Sequence, residues 1–164
     1  MANNPEFRLH SMLRRLVEAG VDFVVVGGVA VIMHSTPRFT QDLDISYATD
    51  QANLDRLGEV LVDMGARLRD MDDDVPFVPD GRTLRHAQLL TLATPEGDID
   101  LLAEPDGSPG YAALKRRADE LDFDGVVVCI ASIDDLLAMK HAAGRLKDLI
   151  DIESLEAARA RARP

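Results

Sequence analysis

Two acidic pairs, Asp42-Leu43-Asp44 and Asp98-Ile99-Asp100, share the chain with a diglycine, Gly27-Gly28, that precedes the first pair by fourteen residues. Leu43, Ile45 and Tyr47 alternate with Asp42, Asp44 and Ser46, the period of a strand with one polar face. On such a strand residues i and i+2 project from the same face, roughly 6–7 Å apart at the backbone, so Asp42 and Asp44 can grip a divalent cation between them. Magnesium prefers hard oxygen ligands and is commonly held by one or two carboxylates together with substrate phosphates. The apolar run Phe23 to Val26 reads as a buried strand, and Val29 to His34 as a brief helix beyond the glycines. A strand ending in Gly27-Gly28 and opening a helix lets backbone N–H groups approach a phosphate closely, because no side chain intervenes and the helix dipole favours an anion. If the strand carrying Asp98 and Asp100 lies beside the first, a third carboxylate joins the pair. The set is then that of two-metal phosphoryl or nucleotidyl transfer.

Cationic and other polar groups extend this set. Lys140 and Lys147 lie seven residues apart, about two helical turns, and so on one face of a helix expected over 139–158, from which they would meet phosphates as point charges. Arg38 precedes Asp42 by four residues and suits either a neutralising partner for the acids or a phosphate clamp. His34 is expected to hydrogen-bond the backbone. Asp98 and Asp100 face the same side of a regular strand, so spacing leaves both open as the third carboxylate.

The elements that must position these residues carry clear signals. Leu9, Met12, Leu13, Leu16 and Val17 recur at helical spacing, with Pro5 at the start and Gly20 at the stop, which predicts a helix over 5–19. Leu54, Leu57, Leu61 and Met64 predict another, ended by Gly65. Residues 66–84 are weakly patterned and read as a loop or irregular edge. Residues 86–92 and 98–102 read as a β-hairpin about Thr94-Pro95-Glu96-Gly97. A helix over 111–120, a strand over 125–131 and a helix capped by Ser132 follow, then the long C-terminal helix. Helices and strands interleave without a regular βαβ repeat, which predicts an α+β or mixed α/β fold around a small mixed sheet flanked by helices.

The chain has 164 residues with 46% apolar and 29% charged, the composition of one soluble domain spanning 1–164 rather than a disordered chain. No apolar run approaches the ~18 residues of a spanning helix, and the start lacks the charge pattern of a leader, so a cytoplasmic protein is expected. Cys129 is the only cysteine, which excludes an internal disulfide or a cysteine zinc cluster and predicts a buried small hydrophobe. The net charge of −11 is unevenly spread: from residue 140 onward six bases face four acids, whereas the first 139 residues hold 12 bases and 25 acids. An anionic ligand would be met at the C-terminal end.

At these residues the chain resembles the nucleotidyltransferase superfamily, in particular the minimal bacterial branch related to AbiEii and MenT type toxins. The residues carrying the resemblance are Gly27-Gly28-Val29-Ala30, Arg38 to Asp44, Asp98 to Leu102, and Lys140 to Asp151 (KHAAGRLKDLID). It implies a five-stranded or similar mixed sheet, an NTP donor, and magnesium or manganese as cofactor. By this resemblance Gly27 and Gly28 cradle phosphate, Asp42 and Asp44 are metal ligands, and Asp100 is the third carboxylate, standing directly before Leu101-Leu102. Lys140, Lys147 and Asp148 match the C-terminal motif of the toxin branch. The branch further implies a hydroxyl acceptor on tRNA or protein and a cognate antitoxin, with an antibiotic hydroxyl or a non-catalytic nucleotide-binding role as the other readings. Much of the superfamily has serine where this chain has Gly28.

Overall fold

The computed structural model describes residues 7–72 and 77–163. Helix α1 (Leu9–Glu18) buries Met12, Leu13 and Leu16 and ends at Gly20, whose positive φ of 73° turns the chain into strand β1 (Phe23–Val26). Pro5, the expected start of α1, lies outside the described residues. Helix α2 (Gly27–His34) follows β1 without a linker, and strand β2 is Asp42–Tyr47. Helix α3 (Gln51–Asp63) is capped by the Asp50 carboxylate, which accepts from the Asn53 N–H. Then come β3 (Arg67–Leu68), α4 (Gly81–Arg85), the hairpin β4 (Leu89–Thr94) and β5 (Gly97–Leu102), and α5 (Tyr111–Arg117). Strands β6 (Asp119–Phe123) and β7 (Val126–Ile130) precede helices α6 (Ile133–Ala143) and α7 (Leu146–Ala162).

The strands form one mixed sheet of order β3-β4-β5-β2-β1-β7-β6, in which β2–β5 and β1–β7 are parallel and the other pairs antiparallel. This is the mixed α/β architecture expected from the alternation, enlarged by an edge strand on each side. Alternation sorts the two faces. Leu43, Ile45, Ile99 and Leu101 are wholly buried in the core, while Asp42, Asp44, Asp98 and Asp100 stand half-buried between them on the other face. Among the described residues no helix is long and apolar enough to cross a membrane.

Four expected elements differ. The hairpin strand expected over 86–92 runs Leu89–Thr94, because His86 closes α4. The stretch 66–84 contains β3 and α4, too short for hydrophobic periodicity to show; residues 73–76 of it lie outside the described residues. The helix expected over 111–120 ends at Arg117, because the next residues pair with β7 through a two-residue turn at Asp124-Gly125, where both φ values are positive (49° and 86°). The helix expected over 139–158 is two helices. Gly144 adopts a left-handed φ of 62° and closes α6, and Arg145 restarts the chain as the N-cap of α7. Cys129 is half-buried rather than fully enclosed.

Asn53, fully buried, ties the ends of two site-bearing strands to α3. Its amide donates to the carbonyls of Asp22 (3.0 Å) and Ala48 (2.8 Å), and its side-chain oxygen accepts from the Asp22 N–H (2.7 Å). Asn53→Ala removes the side-chain partner of the part-buried Asp22 N–H and Ala48 carbonyl and leaves the Asp22 carbonyl only the Ala48 N–H (3.1 Å), and is expected to cost about 3 kcal/mol in urea unfolding. A loss below about 1 kcal/mol would show that water replaces the side chain without penalty.

Candidate active site

The parallel pairing of β2 with β5 sets Asp44 directly opposite Asp100 and Asp42 opposite Asp98. Carboxylate oxygens of Asp42, Asp44 and Asp100 all lie within 4.8 Å of one another. They line a cleft of about 670 Å³ together with Gly27, Gly28, Arg38, Lys140 and Lys147. The register thus brings together the two acidic motifs and separates Asp98 from Asp100: Asp98 does not line the cleft and lies 3.1 Å from the Arg69 Nε.

Gly27 is required by its conformation and by what packs against it, and Gly28 leaves space that Arg38 occupies. Gly27 has φ of 65°, and a Cβ there would collide with the Asp44 carboxylate. At Gly28 a Cβ would meet Arg38 Nη2 at 2.8 Å and Thr40 Oγ1 at 3.2 Å, so the space a serine side chain would fill is held by the arginine. His34 hydrogen-bonds the Ala131 carbonyl at 2.8 Å, the backbone role expected of it.

The cations are largely committed. Arg38 grips Asp151 with two contacts, Nε–Oδ1 at 2.8 Å and Nη2–Oδ2 at 2.9 Å. Lys140, 10% exposed, reaches Asp148 at 3.2 Å and Asp151 at 2.9 Å. Arg145 completes the network on Asp148, Nε–Oδ2 at 2.8 Å and Nη2–Oδ1 at 3.1 Å. Hydrogen bonds from Arg145 and then Lys140 hold the Asp148 carboxyl well below the usual range, against its burial. Lys140 and Lys147 therefore do not share one helix face. The break at Gly144 leaves Lys140 buried on α6 and Lys147 exposed on α7, both at the cleft. Asp148, expected at the nucleotide, is fully buried and does not line the cleft, whereas Asp151 does.

Arg69 is the residue that sequence reading missed. It follows the two-residue strand β3, and its Nη2 donates to Asp100 Oδ1 at 2.6 Å and to the Leu92 carbonyl at 3.2 Å. Only the unpaired excess of acids at the cleft hinted at such a cation.

Burial, then the charges of Asp42 and Asp100, push the Asp44 carboxyl up to about 7, with Lys140 acting weakly the other way. A carboxyl whose folded value is raised costs nothing while it is protonated in both states, below about 4. The cost grows as pH rises and is fully present above about 7. Asp44→Asn is thus expected to raise Tm by about 3 °C at pH 8 in chelator and to leave it unchanged near pH 4, in thermal melts. Equal shifts at the two pH values would contradict strain among these carboxylates.

The family model described as nucleotidyl transferase AbiEii toxin, type IV toxin–antitoxin system, matches residues 11–163. No curated protein matches the chain significantly. Among solved structures, the lincosamide antibiotic adenylyltransferase LnuA in its lincomycin-bound form is similar with a TM-score of 0.63 and 17% identity, over 92% of this chain and 95% of that one. The antibiotic-resistance factor ANT(2'')-Ia gives 0.57 and 15%, over 94% and 89%. An antigenic nucleotidyltransferase-like protein from Paracoccidioides brasiliensis gives 0.56 and 19%, over 94% and 74%. At such identities these likenesses concern the fold, while the family model spans almost the whole sequence: the chain is a nucleotidyltransferase and belongs to the AbiEii toxin family.

Proposed function

We propose that the protein moves a nucleoside monophosphate from an NTP to a hydroxyl group, with magnesium or manganese as cofactor. The observation that carries this reading is the group of three carboxylates within 4.8 Å, facing the diglycine turn across one cleft. The donor set fits a hard divalent cation: carboxylate oxygens only, from adjacent strands. Asp42, Asp44 and Asp100 would hold the metal, which when bound lowers the pKa of the attacking hydroxyl and neutralises charge developing at the α-phosphate.

The chain's own groups do the rest. The N–H groups at the start of α2 are aligned to receive phosphate oxygens, and Gly27 and Gly28 keep that approach free of side chains. Lys147, exposed at the cleft, supplies charge for the leaving pyrophosphate. Lys140 donates to Asp148 and forms an ion pair with Asp151, which makes it part of the scaffold as well as a cation at the cleft. Arg38 stands at Gly28 with one carboxylate partner, placed to contact the triphosphate where a serine hydroxyl is absent. Membership of the toxin family supports an acceptor hydroxyl on tRNA or protein, a cognate antitoxin as partner and a cytoplasmic place of action. The fold shared with LnuA and ANT(2'')-Ia supports a small antibiotic hydroxyl as the second reading.

With each α-labelled NTP and manganese, label is expected to pass to an RNA, protein or small-molecule hydroxyl. Asp42→Asn or Asp44→Asn should lower transfer by about a thousandfold or more, a barrier increase of about 4 kcal/mol, while the protein stays folded. Lys147→Ala should raise the KM for NTP and lower kcat, each about tenfold, since the charge it meets on the leaving pyrophosphate is greatest in the transition state. Undiminished transfer in both aspartate variants would overturn the reading.

A further inference from the structure

The register carries one row of polar side chains straight across the sheet. The Arg69 N–H donates to the Thr91 carbonyl at 3.0 Å, Thr91 pairs with Asp100 across β4–β5, and Asp100 pairs with Asp44 across β5–β2. Arg69 extends along this row over β4, places Nη2 2.6 Å from Asp100 Oδ1 and sets Nε 3.1 Å from Asp98 Oδ2. Asp100 is thereby held between a fixed guanidinium on one side and the carboxylates of Asp42 and Asp44 on the other. Its side chain is only 16% exposed and that of Arg69 24%, so the contact is little screened by solvent. Among the described residues no cation forms an ion pair with Asp42 or Asp44, whereas Arg69 holds Asp100 at 2.6 Å.

The three carboxylates are therefore unequal toward a metal ion. We propose that Arg69 is a positioning residue that commits one oxygen of Asp100, so that a divalent cation binds first at Asp42 and Asp44 and a second, which needs Asp100, binds more weakly. This rests on the metal-dependent reading above. Arg69 occupies the Asp100 oxygen that a second cation would otherwise share, and its positive charge repels that cation directly. In catalysis the same contact fixes the rotamer of Asp100 and so the position of its carboxylate in the group formed with Asp42 and Asp44.

The test is titration of the protein with Mn2+ alone, free ion being counted by electron paramagnetic resonance. Wild type is expected to bind one Mn2+ tightly and a second at least about tenfold more weakly. Arg69→Gln should close that gap by strengthening the weaker site more than the tighter one, and Arg69→Lys, which keeps the charge but cannot span both aspartates, should fall between. Asp98→Asn, which leaves Arg69 with Asp100 as its one carboxylate partner, should widen the gap, and it serves if Arg69→Gln fails to fold. An unchanged ratio of the two affinities in Arg69→Gln, or a narrower gap in Asp98→Asn, overturns the inference while leaving the metal centre intact. Absence of Mn2+ binding in wild type and variants alike overturns the metal-dependent reading and this inference together.

Discussion

Everything at the cleft answers to one electrostatic constraint: the parallel pairing of β2 with β5 presses Asp44 against Asp100 with Asp42 beside them. Three carboxylates at that separation, half-buried on a sheet whose other face is packed with Leu43, Ile45, Ile99 and Leu101, repel one another, and burial weakens their solvation. The core fixes the register, because a one-residue slip would turn the aspartates into the apolar face and the leucines out of it. The chain thus cannot relieve the repulsion by moving the strands. It does so with cations at the margins, Arg69 on one side and Lys140 on the other, and by holding Asp44 near half-ionisation at neutral pH.

The second network makes the cleft a rigid wall. Lys140 lies between Asp148 and Asp151, and each of those acids takes a second cation, Arg145 and Arg38 respectively. Every charge in this chain of contacts meets at least one opposite charge, the condition under which buried ions are tolerated. The break at Gly144 is what allows it. In a continuous helix Asp148 would stand about 12 Å further along the axis from Lys140, beyond direct contact. The sharp corner folds the first turns of α7 back onto α6, pins α7 to the Arg38 loop, and leaves Lys147 exposed at the rim.

Much of this was legible in the sequence. The alternation through Asp42 to Tyr47, the diglycine after an apolar run and the hairpin about Thr94 to Gly97 each express a local rule, and the structure has each of these elements, the first hairpin strand starting at Leu89 because His86 closes α4. The edge strands were not legible. Strand β3 is two residues long, and β6, Asp-Glu-Leu-Asp-Phe, is too acidic to read as a strand by composition, although Asp124-Gly125 after it is a strong hairpin signal. Whether a glycine such as Gly144 is tolerated within a helix or terminates it depends on tertiary contacts, here the carboxylates of α7 captured by Lys140. Arg69 was invisible for the same reason: its partners are about thirty residues away and two strands across the sheet.

The central claim is that the three clustered carboxylates form a metal centre rather than a site neutralised by protein cations alone. Anomalous diffraction from crystals soaked in Mn2+ tests it most directly. A peak at about 2.0–2.3 Å from oxygens of both Asp42 and Asp44 is the predicted result. Fully occupied Mn2+ peaks elsewhere on the protein with none at these aspartates would contradict it.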